Sequence, residues 1–152
     1  MVPHMMGNYM DDEISHAFKN FEIAAGLDEG KHEGPPFHDG DFYKMLEAEI
    51  MVYAQSKDKK MESEIDKIIQ VIDKAQRSDG YIHTPVLIKE RNDPSKKHEF
   101  ANRLDFETYN MGHLMTAACL HYRVTGNTDL LDIARKATDF LFTRLDASTS
   151  KS

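Results

Sequence analysis

The stretch FETYNMGHLMTAACLHYRVTGNTDLLDIARKATDFL, residues 106–141, decides the fold. Tyr109, Leu114, Ala117, Ala118 and Tyr122 recur at helical spacing over residues 105–124, and Gly126 stops the run. Asn127 and Thr128 then offer capping side chains to a second run. There Leu130, Ile133, Ala134, Ala137, Phe140, Leu141 and Leu145 form one apolar stripe. Two amphipathic rods joined by so short a turn fold back on each other as a helical hairpin.

The pattern occurs once more, earlier in the chain. Asp39 and Asp41 precede Phe42, Met45, Leu46, Ile50, Tyr53 and Ala54. After a polar break at residues 56–60, Met61, Ile65, Ile68, Ile69, Ile72 and Ala75 carry a further helix to Arg77. Of the two aspartates, at least one is expected to cap the helix. An offset of 64 residues lays Asp41-Phe42 over Asp105-Phe106 and Ile50 over Leu114. An offset of 65 lays Ile65, Ile68 and Ile72 over Leu130, Ile133 and Ala137. A repeated hairpin cannot bury its stripe alone, so such units stack into solenoids or close into rings, and the class is all-α.

Working outward, residues 81–104 (YIHTPVLIKERNDPSKKHEFANRL) form a connection too long for a plain turn, and residues 81–88 suggest a short strand interrupted by Pro85. Gly80 is expected to cap the helix before it. Residues 12–25 predict a helix with Ile14, Phe18, Phe21 and Ala25 on one stripe, and the Gly- and Pro-rich loop that follows is irregular. The expected organisation is a helix and loop over residues 1–38, two hairpins over 39–146 and a disordered tail over 147–152.

A chain of 152 residues with a formal charge of −7 has room for one domain and repels phosphate backbones, which excludes nucleic acid as an expected partner. Its one cysteine, Cys119, is expected to be a small buried hydrophobe in mid-helix. With no HExxH pair among eight histidines, no metal or cofactor is expected from this segment. No apolar run is long enough for a membrane span, and residues 1–10 lack the features of a signal peptide, so localisation stays open.

The strings FHDGDFYKMLEA (37–48), KAQRSDGYIHT (74–84) and the block at 106–141 together resemble three successive blocks of the glycoside hydrolase family 127 catalytic domain, over residues 20–141. The resemblance implies an (α/α)6 barrel, six helical hairpins closed in a ring with sugar bound at one end of the axis. It implies a glycosidase of the β-L-arabinofuranosidase type, with an oligosaccharide or polysaccharide as partner. Such enzymes use a zinc-held cysteine nucleophile and a glutamate acid/base from later blocks. The catalytic groups, and any zinc, are therefore expected beyond this chain, which is expected to be inactive alone. By the same resemblance Asp41, Tyr81, His83, Glu107, Tyr109 and His113 are the candidate sugar-binding residues. The family block reads His-Glu-Leu-Tyr before its Gly-His pair, and Phe106 stands here in place of that His. The alternative reading is a hairpin-repeat module that binds a protein partner, with self-association through the open barrel edge.

Overall fold

The computed structural model describes residues 1–95 and 98–149. They form seven α-helices: α1 (Val2–Met10), α2 (Ala17–Ala24), α3 (His38–Ser56), α4 (Lys59–Ala75), α5 (Thr84–Asn92), α6 (Glu107–Thr125) and α7 (Asp129–Thr149), with a 3-10 turn at Arg103–Asp105. No strand occurs among the described residues.

Three hairpins lie side by side. In one layer α3 packs on α1 and, most extensively, on α6; in the other α4 packs on α2 and α7. The two predicted hairpins are α3–α4 and α6–α7, and α1–α2 adds a third. Its first helix, in MVPHMMGNYM, has too little apolar periodicity to be legible, although Met6 is fully buried. The predicted helix over 12–25 is shorter in the structure, so that Ile14 falls in the turn before α2 and is 63% exposed while Phe18 and Phe21 are buried.

Local chemistry explains the helix ends. Asp58 accepts the Lys60 and Met61 amides at 2.8 and 3.0 Å and starts α4, and the Asn127 side chain accepts the Asp129 amide at 2.7 Å at the start of α7. Helix α4 is sharply two-faced: Met61, Ile65, Ile68, Ile69 and Ile72 are buried, while Asp66, Lys67, Gln70 and Asp73 face solvent. Between α3 and α6 the residues are small where the backbones approach. A Cβ on Gly40 would lie 2.6 Å from Asn110 Oδ1 and 3.0 Å from the Tyr109 ring, and Ala117 and Ala118 are fully buried. Gly40 and Lys44 on α3 bond to Asn110 and Tyr109 on α6, so the two helices start at the same end and run parallel.

Four expectations are corrected. Residues 81–88 are not a strand: Pro85 sits in the first turn of α5, where its missing N–H is no loss. Gly80 does not cap α4, which ends at Gln76; it lies in the following turn at φ +97°, where a Cβ would strike the Lys136 carbonyl. Neither Asp39 nor Asp41 caps α3, whose N-cap is Phe37 with no side-chain bond. Cys119 is exposed, because it falls on the side of α6 away from Ala117 and Ala118. Helix α7 continues through residues 147–149; residues 150–152 of the expected tail lie outside the described residues, as does the Lys96-Lys97 pair. No helix of the described chain is long and apolar enough to cross a membrane.

Candidate functional site

The aligned starts of α3, α5 and α6 gather the polar side chains at one end of the helices. Asp39, at the start of α3, reaches across to α5. Its two oxygens accept the Thr84 amide at 2.7 Å and the Thr84 hydroxyl at 2.6 Å. The capping chemistry legible in the sequence is present, directed at a neighbouring helix. Burial pushes the Asp39 carboxyl up to about 6, against the two Thr84 bonds that favour its charged form.

Asn110 is the hub of this end. Its Oδ1 accepts the Gly40 amide at 3.0 Å, and its Nδ2 faces the Pro36 carbonyl at 2.9 Å and His83 Nδ1 at 3.1 Å. It thereby ties the loop before α3, α3 itself and the start of α5 to α6. His83 is fully buried, and burial pulls its imidazole down to about 3.

Glu107, in the first turn of α6, is also buried. The Tyr81 hydroxyl donates to Oε1, and the Phe100 amide donates to both oxygens at 2.9 and 2.8 Å. Burial raises the Glu107 carboxyl above the usual range, opposed by these donors and assisted by Asp105 and Glu99. The segment that carries Phe100 is held from outside. Glu99 pairs with Arg77 and, at 2.9 Å, with Arg144; Arg77 also holds Glu90 at 3.0 Å and lies over the Tyr81 ring at 4.6 Å. Phe100 and Phe106 both sit at positive φ, +54° and +57°, a left-handed conformation that side chains of this size adopt only when their surroundings impose it.

The other three predicted residues lie on the open side of the α3–α6 layer. Tyr109 is 42% exposed. Its hydroxyl accepts from Lys44 Nζ at 2.6 Å, and Lys44 also reaches Asp41 at 3.1 Å. The His113 ring meets Tyr109 edge-on at 4.6 Å, one turn along α6. Phe106 and Phe37 extend this aromatic ridge, with centroid distances of 5.8 and 5.6 Å along the chain of rings. The six predicted residues thus form two groups. Asp41, Tyr109 and His113 share an accessible face, whereas Tyr81, His83 and Glu107 are buried behind it. Glu107 and Tyr109 leave α6 in different directions, yet both line a cavity of about 440 Å³ with Phe100, Asn102, Arg103 and Phe106.

Asn110, Lys44 and the Arg77–Glu99–Arg144 cluster were not singled out by sequence. Asn110 stands in the quoted block between Tyr109 and the Gly-His pair, and that adjacency was the one available signal. The donors do not fit a zinc site: among the described residues no three of His, Cys, Asp or Glu are grouped to hold a metal, and Cys119 stands alone.

Stacked helical hairpins with polar and aromatic groups gathered at one end fit the helical barrel that the sequence resemblance implies. The family model for the β-L-arabinofuranosidase GH127 catalytic domain matches residues 1–152, and the chain belongs to that family. It is 36% identical over 135 residues to the non-reducing end β-L-arabinofuranosidase of Bifidobacterium longum subsp. longum, a match that takes in 89% of this chain and 20% of that protein. The crystal structure of a GH127 β-L-arabinofuranosidase from Geobacillus stearothermophilus T6 superposes with a TM-score of 0.84 at 35% identity, over 93% of this chain and 22% of that one. A second GH127 β-arabinofuranosidase gives 0.72 at 33% identity, over 87% and 22%. The chain therefore spans about a fifth of the length of these relatives, and its three hairpins are part of an (α/α)6 barrel.

Proposed function

We propose that this chain is the part of a β-L-arabinofuranosidase-like hydrolase that forms a section of barrel wall and one side of the sugar pocket, and that it has no turnover alone. The observation that carries this reading is the accessible group of Asp41, Lys44, Tyr109 and His113 on the open side of α3 and α6. Sugars are held by side chains that both donate and accept, beside an aromatic face that covers the C–H surface of the ring. Lys44 donates, Asp41 accepts, His113 does either and Tyr109 supplies the face. Tyr81, His83 and Glu107 support this surface from behind, with Glu107 reaching the adjoining cavity.

Hydrolysis of a glycosidic bond needs two flanking groups, an acid/base and a nucleophile or second base. One half-buried carboxylate on the open face, Asp41, is paired with Lys44, and Glu107 is engaged by Tyr81 and Phe100. The second member of such a pair would have to come from elsewhere in the barrel.

The reading is tested by two assays on the chain. Titration with methyl β-L-arabinofuranoside, followed through Tyr109 and His113 ring resonances, is expected to show saturable binding that Tyr109→Ala weakens about tenfold, with no hydrolysis of an aryl β-L-arabinofuranoside. Unchanged ring resonances throughout the titration would overturn the pocket, and hydrolysis would overturn the claim that the chain is inactive alone.

A further inference from the structure

We propose that the cavity of about 440 Å³ at the start of α6 is a seat for an acidic sugar, a uronate whose carboxylate is held by Arg103 and whose ring lies among Phe100, Phe106 and Tyr109. The inference rests on the reading of this end of the helices as carbohydrate-binding, and it gives the cavity beside the Tyr109–His113 face a sugar class of its own. Its walls come from two places. Phe100, Asn102, Arg103 and Phe106 belong to the connection before α6, and Glu107, Thr108 and Tyr109 to the first turn of α6.

The side chains of this lining have donors left to offer. Asn102 Oδ1 already accepts the Leu104 amide at 3.0 Å, which leaves the side-chain nitrogen for a ligand. The Tyr109 hydroxyl accepts from Lys44 at 2.6 Å, so its own proton is available to donate. Arg103 is exposed, and its guanidinium makes no ion pair among the described residues. Glu107 is the one acidic residue of the lining. It is 4% exposed, and its two oxygens are taken by the Tyr81 hydroxyl and the Phe100 amide. The nearby Asp105 lines the separate cavity beside α5. The accessible charge that a ligand meets here is therefore Arg103, and what the ligand must bring is acceptors. A planar carboxylate matches the guanidinium fork.

Three aromatic rings give the same cavity an apolar side. Phe100, Phe106 and Tyr109 are 38%, 39% and 42% exposed, and Phe106 meets Tyr109 edge-on at 5.8 Å. A small inorganic anion gains nothing from such a surface, whereas the C–H face of a sugar ring does. The walls are also fixed in advance. Phe100 stacks on Phe140 at 6.2 Å with Arg144 over its ring at 5.6 Å, and Glu99 beside it is tied to Arg77 and Arg144. The left-handed residues Phe100 and Phe106 bracket the segment that carries Asn102 and Arg103. A seat assembled before the ligand arrives loses little binding energy to ordering.

The test titrates the ¹⁵N-labelled chain in turn with D-galacturonate, D-galactose and acetate, observed through the Arg103 Nε–H and the Asn102 side-chain amide. Galacturonate is expected to shift both resonances saturably and to bind at least about fivefold more tightly than galactose or acetate, because it alone carries both the carboxylate and the ring. Arg103→Gln, at an exposed position, is expected to bring galacturonate down to the affinity of galactose, read from Asn102. The proposal is overturned if no resonance moves saturably up to the solubility limit of the sugars, or if galactose binds as tightly as galacturonate. Acetate binding as tightly would reduce the cavity to a general anion site and overturn it as well, as would an undiminished preference for galacturonate in Arg103→Gln. The His113 ring, which does not line this cavity, reports methyl β-L-arabinofuranoside on the open face. Failure of that reading and failure of this one therefore appear on different nuclei and with different sugars.

Discussion

Replacing Asn110 with alanine removes the side chain that joins α3, the loop before it and the start of α5 to α6. Three hydrogen bonds disappear, at 3.0 Å from the Gly40 amide, 2.9 Å to the Pro36 carbonyl and 3.1 Å to His83. Asn110 and His83 are fully buried, so their former partners do not all recover water. Each neutral bond contributes about 1 kcal/mol net, and each buried group left unpaired costs about 1–3 kcal/mol. The expected loss is about 3–5 kcal/mol, a large part of the stability of an ordinary domain. Urea unfolding at low temperature measures it. Gly40→Ala provides the internal control, because its new Cβ would lie 2.6 Å from Asn110 Oδ1. In the double mutant that clash is absent while the contact with the Tyr109 ring at 3.0 Å remains. The two substitutions should therefore cost less together than the sum of their separate effects, by about 1 kcal/mol or more. A loss below about 1 kcal/mol for Asn110→Ala, or strict additivity, would refute the hub.

Three other perturbations have defined outcomes. Burial, and then the neighbouring Glu64 carboxylate, push Glu49 up to about 8 from the ordinary 4.5. The native chain then holds a proton that the unfolded chain has released, so stability falls as pH rises from 4.5 towards 8 and levels off above; Glu49→Gln should abolish that slope and be the more stable form at pH 8 by about 2 kcal/mol, measured by unfolding at several pH values. Glu99→Gln weakens the ties to Arg77 and Arg144, and hydrogen exchange at the Phe100 amide should rise at least about tenfold while α4 is unaffected. Asp58→Ala removes the cap of α4 and should cost about 1 kcal/mol in thermal or urea unfolding, with little effect on sugar binding.

The hairpins were legible because their stripes are strong. Ile65, Ile68 and Ile72, and their counterparts Leu130, Ile133 and Ala137, are all buried, as the 3.6-residue period requires. Helix α5 was not legible: TPVLI carries β-branched residues that suit a strand, whereas in the fold Asp39 accepts the Thr84 amide in its first turn and α2 packs against it. At the site, residue type was informative but direction was not. A carboxylate beside a helix start is a capping signal, yet the sequence cannot tell whether Asp39 serves α3 or α5. The same limit applies along α6, where Tyr109 and His113 emerge on the open face and Glu107 turns inward to Tyr81.

A crystal structure of the chain grown with methyl β-L-arabinofuranoside is the most direct test of the central claim. The account predicts the sugar ring against Tyr109, with its hydroxyls on Asp41, Lys44 and His113. Sugar bound only on the outer faces of α4 and α7, with that group left bare, would contradict it.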